Sequence, residues 1–152
     1  KAEPDMYRAI ALGAYAGLRV SEAAAMTWEN VDRESRRIFV RGGKGDKDRA
    51  VGLSPLLLDA ILPDAGGNVV TAGAPPMSAA TLQRKVNRHL ERCGVAGTFH
   101  KLRARFATVA LAETGNLLAV SRALGHSSPS TTALYAATSD EDLDLIAAAV
   151  TR

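Results

Sequence analysis

Four types of side chain suited to phosphate chemistry occur in short, distinctive contexts along this sequence. The types are arginine, lysine, histidine and tyrosine, and the residues are Arg19 in AGLRVSE, Lys44 in GKGDK, His100 and Arg103 in HKLR, His126 in LGH, and Tyr135 after SSPSTTAL. A guanidinium offers a planar fork of donors that matches two phosphate oxygens and stays charged at any working pH. Such fixed donors favour attack on a phosphodiester, because they stabilise the charge that develops in the transition state.

The other candidates fit proton transfer and nucleophilic attack. Histidines donate to phosphate oxygens or move protons near neutral pH, and a lysine at a hairpin tip can protonate a leaving alkoxide. A phenol is a weak nucleophile at its usual pKa of about 10, so Tyr135 would need neighbouring cations and a proton acceptor to react. His100 and Arg103, three residues apart, would project from the same face of a helix.

Each of these residues also has an ordinary interpretation when it is taken alone. An isolated arginine is commonly part of a surface salt bridge, and a histidine in such a place is commonly structural. Lys44 can be an ordinary exposed lysine in a turn. Lys47 is the rival candidate for its role as proton donor. His89 keeps a structural interpretation. Tyr7 and Tyr15 share one stripe of the first helix and are expected to be core or partly buried residues.

Length, charge and cysteine content restrict the class of protein. The chain has 152 residues, 47% hydrophobic and 23% charged, which predicts one folded domain. The net charge is only +3, but basic residues cluster over 33–49 and 84–105, which indicates either a polyanionic partner or a solvated basic face. The single cysteine, Cys93, excludes an internal disulfide, and we expect it to be buried. We expect no membrane segment and a cytoplasmic location.

Hydrophobic periodicity predicts an α+β, mainly helical fold: a helical bundle with a small antiparallel three-stranded sheet. Helices are expected over 6–16, from Ser21 as a cap, and over 55–62, 78–93, 101–113, 117–124 and 140–150. Strands are expected over 36–41 and 49–53, joined by GGKGDKD, with a short third strand over 68–71. The last helix carries an apolar stripe of Leu143, Ile146 and Val150.

Taken together and in order, four segments resemble the catalytic domain of the tyrosine recombinases, the phage integrase family. The segments are AGLRVSEAAAMTWENVD, GGKGDKDRAVGLS, HKLRARFATVALAETG and LGHSSPSTTALY. The resemblance runs from about Asp5 to Thr138 and implies the tyrosine recombinase catalytic-domain fold. One departure is Ala104, which stands where many members have histidine, outside the catalytic set.

The resemblance implies a role for each candidate residue. Arg19 and Arg103 match the arginines that grip the scissile phosphate, and Lys44 matches the hairpin lysine that protonates the leaving 5′ oxygen. His100 matches the histidine that assists proton transfer, and His126 the one that hydrogen-bonds the phosphate. Tyr135 matches the nucleophile that forms a 3′-phosphotyrosyl bond. Glu22 matches an acidic position that supports an active-site arginine.

The implied function is site-specific recombination or integration of double-stranded DNA, such as phage integration and excision, without a metal ion or cofactor. Residues 1–152 would form the catalytic domain at the C-terminal end of a longer protein whose N-terminal DNA-clasping domain is absent here. The full-length protein is expected to act as a tetramer on DNA, and its last helix either docks on a neighbouring protomer or folds back on its own domain. The alternatives are a DNA-binding module without effective catalysis and a type IB topoisomerase.

Overall fold

The computed structural model describes residues 4–42, 48–62, 66–125 and 140–151. Within them the chain forms helices packed around one small sheet, as the sequence predicts. The elements are α1 (Pro4–Tyr15), α2 (Val20–Ala25), a 3-10 turn (Trp28–Asn30), β1 (Val31–Asp32), β2 (Arg37–Val40), β3 (Arg49–Gly52), α3 (Pro55–Ile61), α4 (Ala79–Arg92), α5 (Phe99–Thr114), α6 (Leu117–Leu124) and α7 (Asp140–Val150). None of the helices in these ranges is long and apolar enough to cross a membrane.

The sheet is three-stranded and antiparallel, in the order β1-β2-β3, but its third strand is not the expected one. The prediction of a strand over 68–71 is wrong: Asn68 forms only an isolated bridge with Thr27, and its side-chain oxygen accepts from the amide of Thr71 to close a turn. Instead β1 pairs with β2. The Asp32 carboxylate accepts from the amides of Glu34 and Ser35, which supports the tight reversal between these two strands.

Side-chain caps explain most of the helix boundaries. Ser54 accepts from the amide of Leu57 before Pro55 opens α3, and Ser78 and Asn116 cap α4 and α6 in the same way. Ser21, however, is not the cap of α2, because the helix already begins at Val20 and Arg19 occupies the N-cap position. Helix α5 begins at Phe99 rather than at Lys101, so that His100 and Arg103 both lie within it.

The core is centred where α1 packs on α5, with Leu12, Phe99 and Phe106 fully buried. Gly17 has a φ of +64°, and a Cβ there would come within 2.6 Å of the Phe106 ring, so the turn after α1 requires glycine. Two expectations for burial are wrong. Tyr7 is 50% exposed because it lies on the outer face of α1, and Cys93 is exposed because it follows the last turn of α4.

Helix α7 packs on its own domain, against α5 and the inner face of β3. Its predicted stripe of Leu143, Ile146 and Val150 is buried. A Cβ on Gly52 of β3 would lie 2.4 Å from the carbonyl oxygen of Leu143, so this glycine allows the helix to approach the sheet. On the same seat, the buried Arg37 guanidinium donates to Asp144 at 2.7 Å and to Asp140 at 3.0 Å.

Candidate active site

Arg103 is the buried centre of the candidate site. It lies on α5, and only 7% of the residue is exposed. Its guanidinium donates to the carbonyl oxygen of Gly17 at 2.5 Å and to that of Leu124 at 2.6 Å. These carbonyls belong to the turn that leads to Arg19 and to the last residue of α6. Arg103 therefore connects two chain segments that the sequence separates widely, and both segments lead to predicted site residues.

Arg19 stands at the entrance of α2, where its backbone and its side chain contact the same carboxylate. Its amide donates to Glu22 Oε2 at 2.7 Å, and its guanidinium donates to Oε1 at 3.2 Å. The Arg19 side chain is 33% exposed, whereas that of Glu22 is 9% exposed. This contact joins Glu22 to Arg19, the arginine that it is expected to support.

Glu22 has a second partner, Arg49, which sequence reasoning missed. The Arg49 guanidinium forms a bidentate pair with the two Glu22 oxygens at 2.7 and 2.8 Å. Burial alone would raise the pKa of the Glu22 carboxyl, but hydrogen bonds from Arg49 and from the Arg19 amide, with the charges of both arginines, lower it below its ordinary 4.5. Glu22 is therefore a carboxylate at neutral pH.

A signal for Arg49 was present in the sequence. Within the predicted strand, Arg49, Val51 and Leu53 are spaced two residues apart, so all three side chains point to the same face. The structure buries Val51 and Leu53, and an arginine on such a face needs an ionic partner. The strand pattern alone indicates a buried ion pair at Arg49, although it does not identify Glu22 as the partner.

His100 lies in the first turn of α5 and is exposed. The start of this helix is anchored by α4, because the side-chain oxygen of Asn87 accepts from the Phe99 amide at 2.9 Å. His100 and Arg103 thus share the N-terminal part of one helix, as predicted, but they differ in burial. Arg103 is inside the fold and His100 is at its surface.

Lys44, His126 and Tyr135 lie outside the described residues. The structure does describe the elements on either side of them: β2 and β3 flank the segment that contains Lys44, and Gly125 directly precedes His126. Gly125 has a φ of +71°, which glycine adopts without strain and which ends α6. Of the predicted set, the structure describes Arg19, His100 and Arg103.

Two further features of the described residues bear on binding. An open groove lies between the C-terminal half of α4 and the following loop, lined by Arg84, Asn87, Arg88, Glu91 and 94–97, and it contains none of the predicted site residues. No group of three or more His, Cys, Asp or Glu side chains within the described ranges is arranged to hold a metal ion.

Comparisons with known proteins identify the fold. Tyrosine recombinase XerA of Thermococcus kodakarensis is 36% identical over 138 residues, which cover 84% of this chain and 49% of the relative. The chain thus spans about half the length of this curated relative. Two solved structures are also similar: an integrase from mycobacterium phage Brujita and a XerA recombinase.

The Brujita integrase has a TM-score of 0.75 and 25% identity, and the match covers 98% of this chain and 53% of that one. The XerA recombinase has a TM-score of 0.71 and 29% identity, with coverages of 93% and 55%. A lambda integrase tetramer bound to a Holliday junction shares the fold, with a TM-score of 0.66, 21% identity and coverages of 82% and 41%.

The fold is therefore that of the tyrosine recombinase catalytic domains. In addition, the profile of the Phage integrase family matches residues 4–142, which is most of the sequence. The chain belongs to the phage integrase family.

Proposed function

We propose that the chain is the catalytic domain of a site-specific DNA recombinase that cuts and rejoins double-stranded DNA through Tyr135. The observation that carries the proposal is the placement of Arg103, whose guanidinium is buried and held between the carbonyls of Gly17 and Leu124. A charged group fixed in this way can meet a phosphate without reorganising, which is the condition for strong electrostatic stabilisation of a transition state.

In the proposed reaction the Tyr135 hydroxyl attacks the scissile phosphorus, and the bond from phosphorus to the 5′ oxygen breaks. The phenolic proton leaves through His100, Lys44 gives a proton to the departing 5′ oxygen, and Arg19, Arg103 and His126 hold the non-bridging oxygens. A 5′-hydroxyl from a partner duplex then attacks the phosphotyrosyl bond and releases Tyr135. Each step exchanges one ester for another, so the balance needs neither ATP nor water.

Exposed positive charge supports double-stranded DNA as the partner. Helix α4 presents Arg84, Lys85, Arg88 and Arg92 at its surface, within the basic cluster noted in the sequence. Lysines and arginines on one element neutralise successive phosphates and provide binding that does not depend on base sequence. A DNA substrate also agrees with the cytoplasmic location expected from the sequence.

Recombination joins two duplexes, and each duplex is cut on both strands, so we propose that four copies assemble on DNA. The likeness to the lambda integrase tetramer bound to a Holliday junction supports this assembly. Helix α7 is the candidate for exchange between protomers, because its seat, formed by Gly52 of β3 and the paired Arg37 of β2, would accept the same helix from a neighbouring copy.

A suicide DNA substrate tests the proposed function. Duplexes nicked near each candidate cleavage point are mixed with the chain, alone and joined to the N-terminal domain that the family resemblance implies. The products are separated on a denaturing gel beside those of Tyr135→Phe. We expect a covalent protein–DNA adduct that Tyr135→Phe abolishes.

The other outcomes identify the alternatives. DNA binding without an adduct would overturn the proposal in favour of a binding module. An adduct that relaxes supercoiled DNA but never joins two duplexes would favour a type IB topoisomerase.

A further inference from the structure

Arg49 is a buried cation that the proposed reaction does not use. It is the first residue of β3, and its side chain is 6% exposed. All three guanidinium nitrogens donate: two to Glu22, and Nε to the carbonyl oxygen of Ala123 at 2.8 Å. Through these contacts, Arg49 joins the first turn of α2 to the last turn of α6.

The contacts of Glu22 indicate what Arg49 does for Arg19. Arg49 takes both carboxylate oxygens along its planar edge, at distances shorter than the 3.2 Å contact from the Arg19 guanidinium. A carboxylate without Arg49 would be free to rotate and to form the bidentate pair with Arg19 instead. That pair would occupy the fork that the proposed function assigns to a phosphate. Arg49 therefore keeps Glu22 in the orientation that sets the backbone and side chain of Arg19.

The contacts at α6 extend the same influence to the other side of the site. Ala123 and Leu124 are the last two residues of this helix, and their carbonyls accept from Arg49 and Arg103 respectively. A Cβ on Gly125 would lie 3.0 Å from Arg49 Nη1 and 3.1 Å from its Cδ, so the turn before His126 packs directly on the Arg49 side chain.

We propose that Arg49 is a positioning residue for the DNA-cleavage reaction. It fixes Glu22, and through it Arg19, relative to the turn that leads to His126. This inference rests on the proposed function and adds a residue that touches none of the reacting atoms. It requires Arg49 to affect the rate of the chemical step more than the affinity for DNA.

The test compares single-turnover formation of the phosphotyrosyl adduct with DNA affinity in Arg49→Gln and Arg49→Lys. Glu34→Gln is the control, because Glu34 lies in the turn before β2, is exposed, and is acidic rather than one of the clustered basic residues. We expect Arg49→Gln to slow adduct formation by roughly 10- to 100-fold, the cost of a small misplacement, with DNA affinity within about twofold of wild type. Arg49→Lys keeps the charge but cannot reach both Glu22 oxygens and the Ala123 carbonyl at once. Its rate of adduct formation should therefore lie between those of wild type and Arg49→Gln.

A double variant distinguishes positioning from general loss of structure. If Arg49 acts through Glu22, then Glu22→Gln combined with Arg49→Gln should be slower than the slower single variant by no more than about twofold. Circular dichroism confirms that each variant is folded. If Arg49→Gln does not fold, then Arg49→Lys and Glu22→Gln carry the comparison.

Two results would overturn the inference in distinguishable ways. The proposed role of Arg49 is overturned if folded Arg49→Gln cleaves at the wild-type rate, or if it loses DNA binding and cleavage in equal proportion. Either result leaves the proposed function intact. A wild-type chain that binds the duplex and forms no adduct overturns the proposed function itself.

Discussion

Arg49 and Arg103 donate hydrogen bonds to consecutive carbonyl oxygens at the C-terminal end of α6. Arg49 Nε reaches Ala123 at 2.8 Å, and an Arg103 Nη reaches Leu124 at 2.6 Å. The last carbonyls of a helix have no partner within the helix and carry its negative dipole end, so cationic donors stabilise them. Two arginines, one from β3 and one from α5, thereby fix the last turn before Gly125.

Replacement of Arg103 is expected to damage both stability and cleavage. Arg103→Ala leaves the carbonyls of Gly17 and Leu124 without this donor, which should lower the free energy of unfolding by about 3 kcal/mol. Arg103→Lys should fail in the adduct assay, because one ammonium cannot bridge two carbonyls and also grip a phosphate. Urea unfolding measures the first effect, with Lys101→Ala, an exposed change on the same helix, as the control. Equal stability of Arg103→Ala and Lys101→Ala would contradict the bridging role.

The Glu22–Arg49 pair predicts a specific dependence of stability on pH. Because the pKa of folded Glu22 lies below its ordinary 4.5, the carboxylate stabilises the fold fully above that value. The contribution is lost as the pH falls through the lowered pKa. Both side chains are buried, so Glu22→Gln at pH 7 should cost about 3 kcal/mol, the usual effect of breaking a buried pair.

Urea unfolding as a function of pH measures this difference. The gap between wild type and Glu22→Gln should be constant near neutrality and should close below pH 4.5. The exposed Glu29→Gln provides the control for loss of a surface charge. A gap that stays the same at low pH would mean that Glu22 contributes through packing and not through its charge.

The relation between sequence and structure differs from element to element. The α6 and α7 boundaries were predictable to the residue, because the Asn116 cap of α6 and the acidic first turn of α7 agree with the apolar spacing of each helix. The third strand was not, because β1 has only two residues and depends on pairing with β2, whereas the apolar Val69 and Val70 are buried in a turn. Long-range pairing decides such short strands, and local propensity does not.

The candidate site follows the same division. Residue types indicated which arginines are candidates for binding phosphate, but not the groups that hold them, since Gly17, Ala123 and Leu124 contribute backbone carbonyls that any residue would provide. Arg49 is intermediate: its position on an apolar strand face indicated a buried pair, and only the fold identifies Glu22, which lies before the hairpin in the chain, as its partner.

Lys44 and its neighbour Lys47 give a prediction about the leaving group. If Lys44 protonates the departing 5′ oxygen, then Lys44→Ala should slow adduct formation by about 10²-fold or more, while Lys47→Ala has little effect. A substrate with sulfur in place of that bridging oxygen needs no proton donor, because a thiolate is a far better leaving group. This substrate should restore Lys44→Ala and should not restore Arg103→Ala. Rescue of neither variant would contradict the role of Lys44, and a slow Lys47→Ala that is rescued would transfer the role to Lys47.

Gly52 provides a test of how α7 is seated. A Cβ at this position would lie 2.4 Å from the Leu143 carbonyl oxygen and 2.8 Å from the Ala147 Cβ, so Gly52→Ala forces α7 away from β3. Gly97→Ala is the matched control, because a Cβ there meets nothing closer than 3.9 Å. We expect amide hydrogens of α7 to exchange at least about tenfold faster in Gly52→Ala, since a helix that loses its packing opens locally.

The rest of the fold should keep its protection in Gly52→Ala, because the contacts of α1 with α5 do not involve this glycine. If α7 can also dock on a neighbouring protomer, Gly52→Ala has two opposite effects on association. The released helix favours dimers or larger species in sedimentation at high protein concentration. The altered seat, in contrast, binds a helix from a neighbouring copy less well. A mixture of Gly52→Ala with wild type resolves the two effects, because the wild-type seat accepts the released helix. Unchanged exchange in α7 of Gly52→Ala would show that the helix does not rest on β3 in solution.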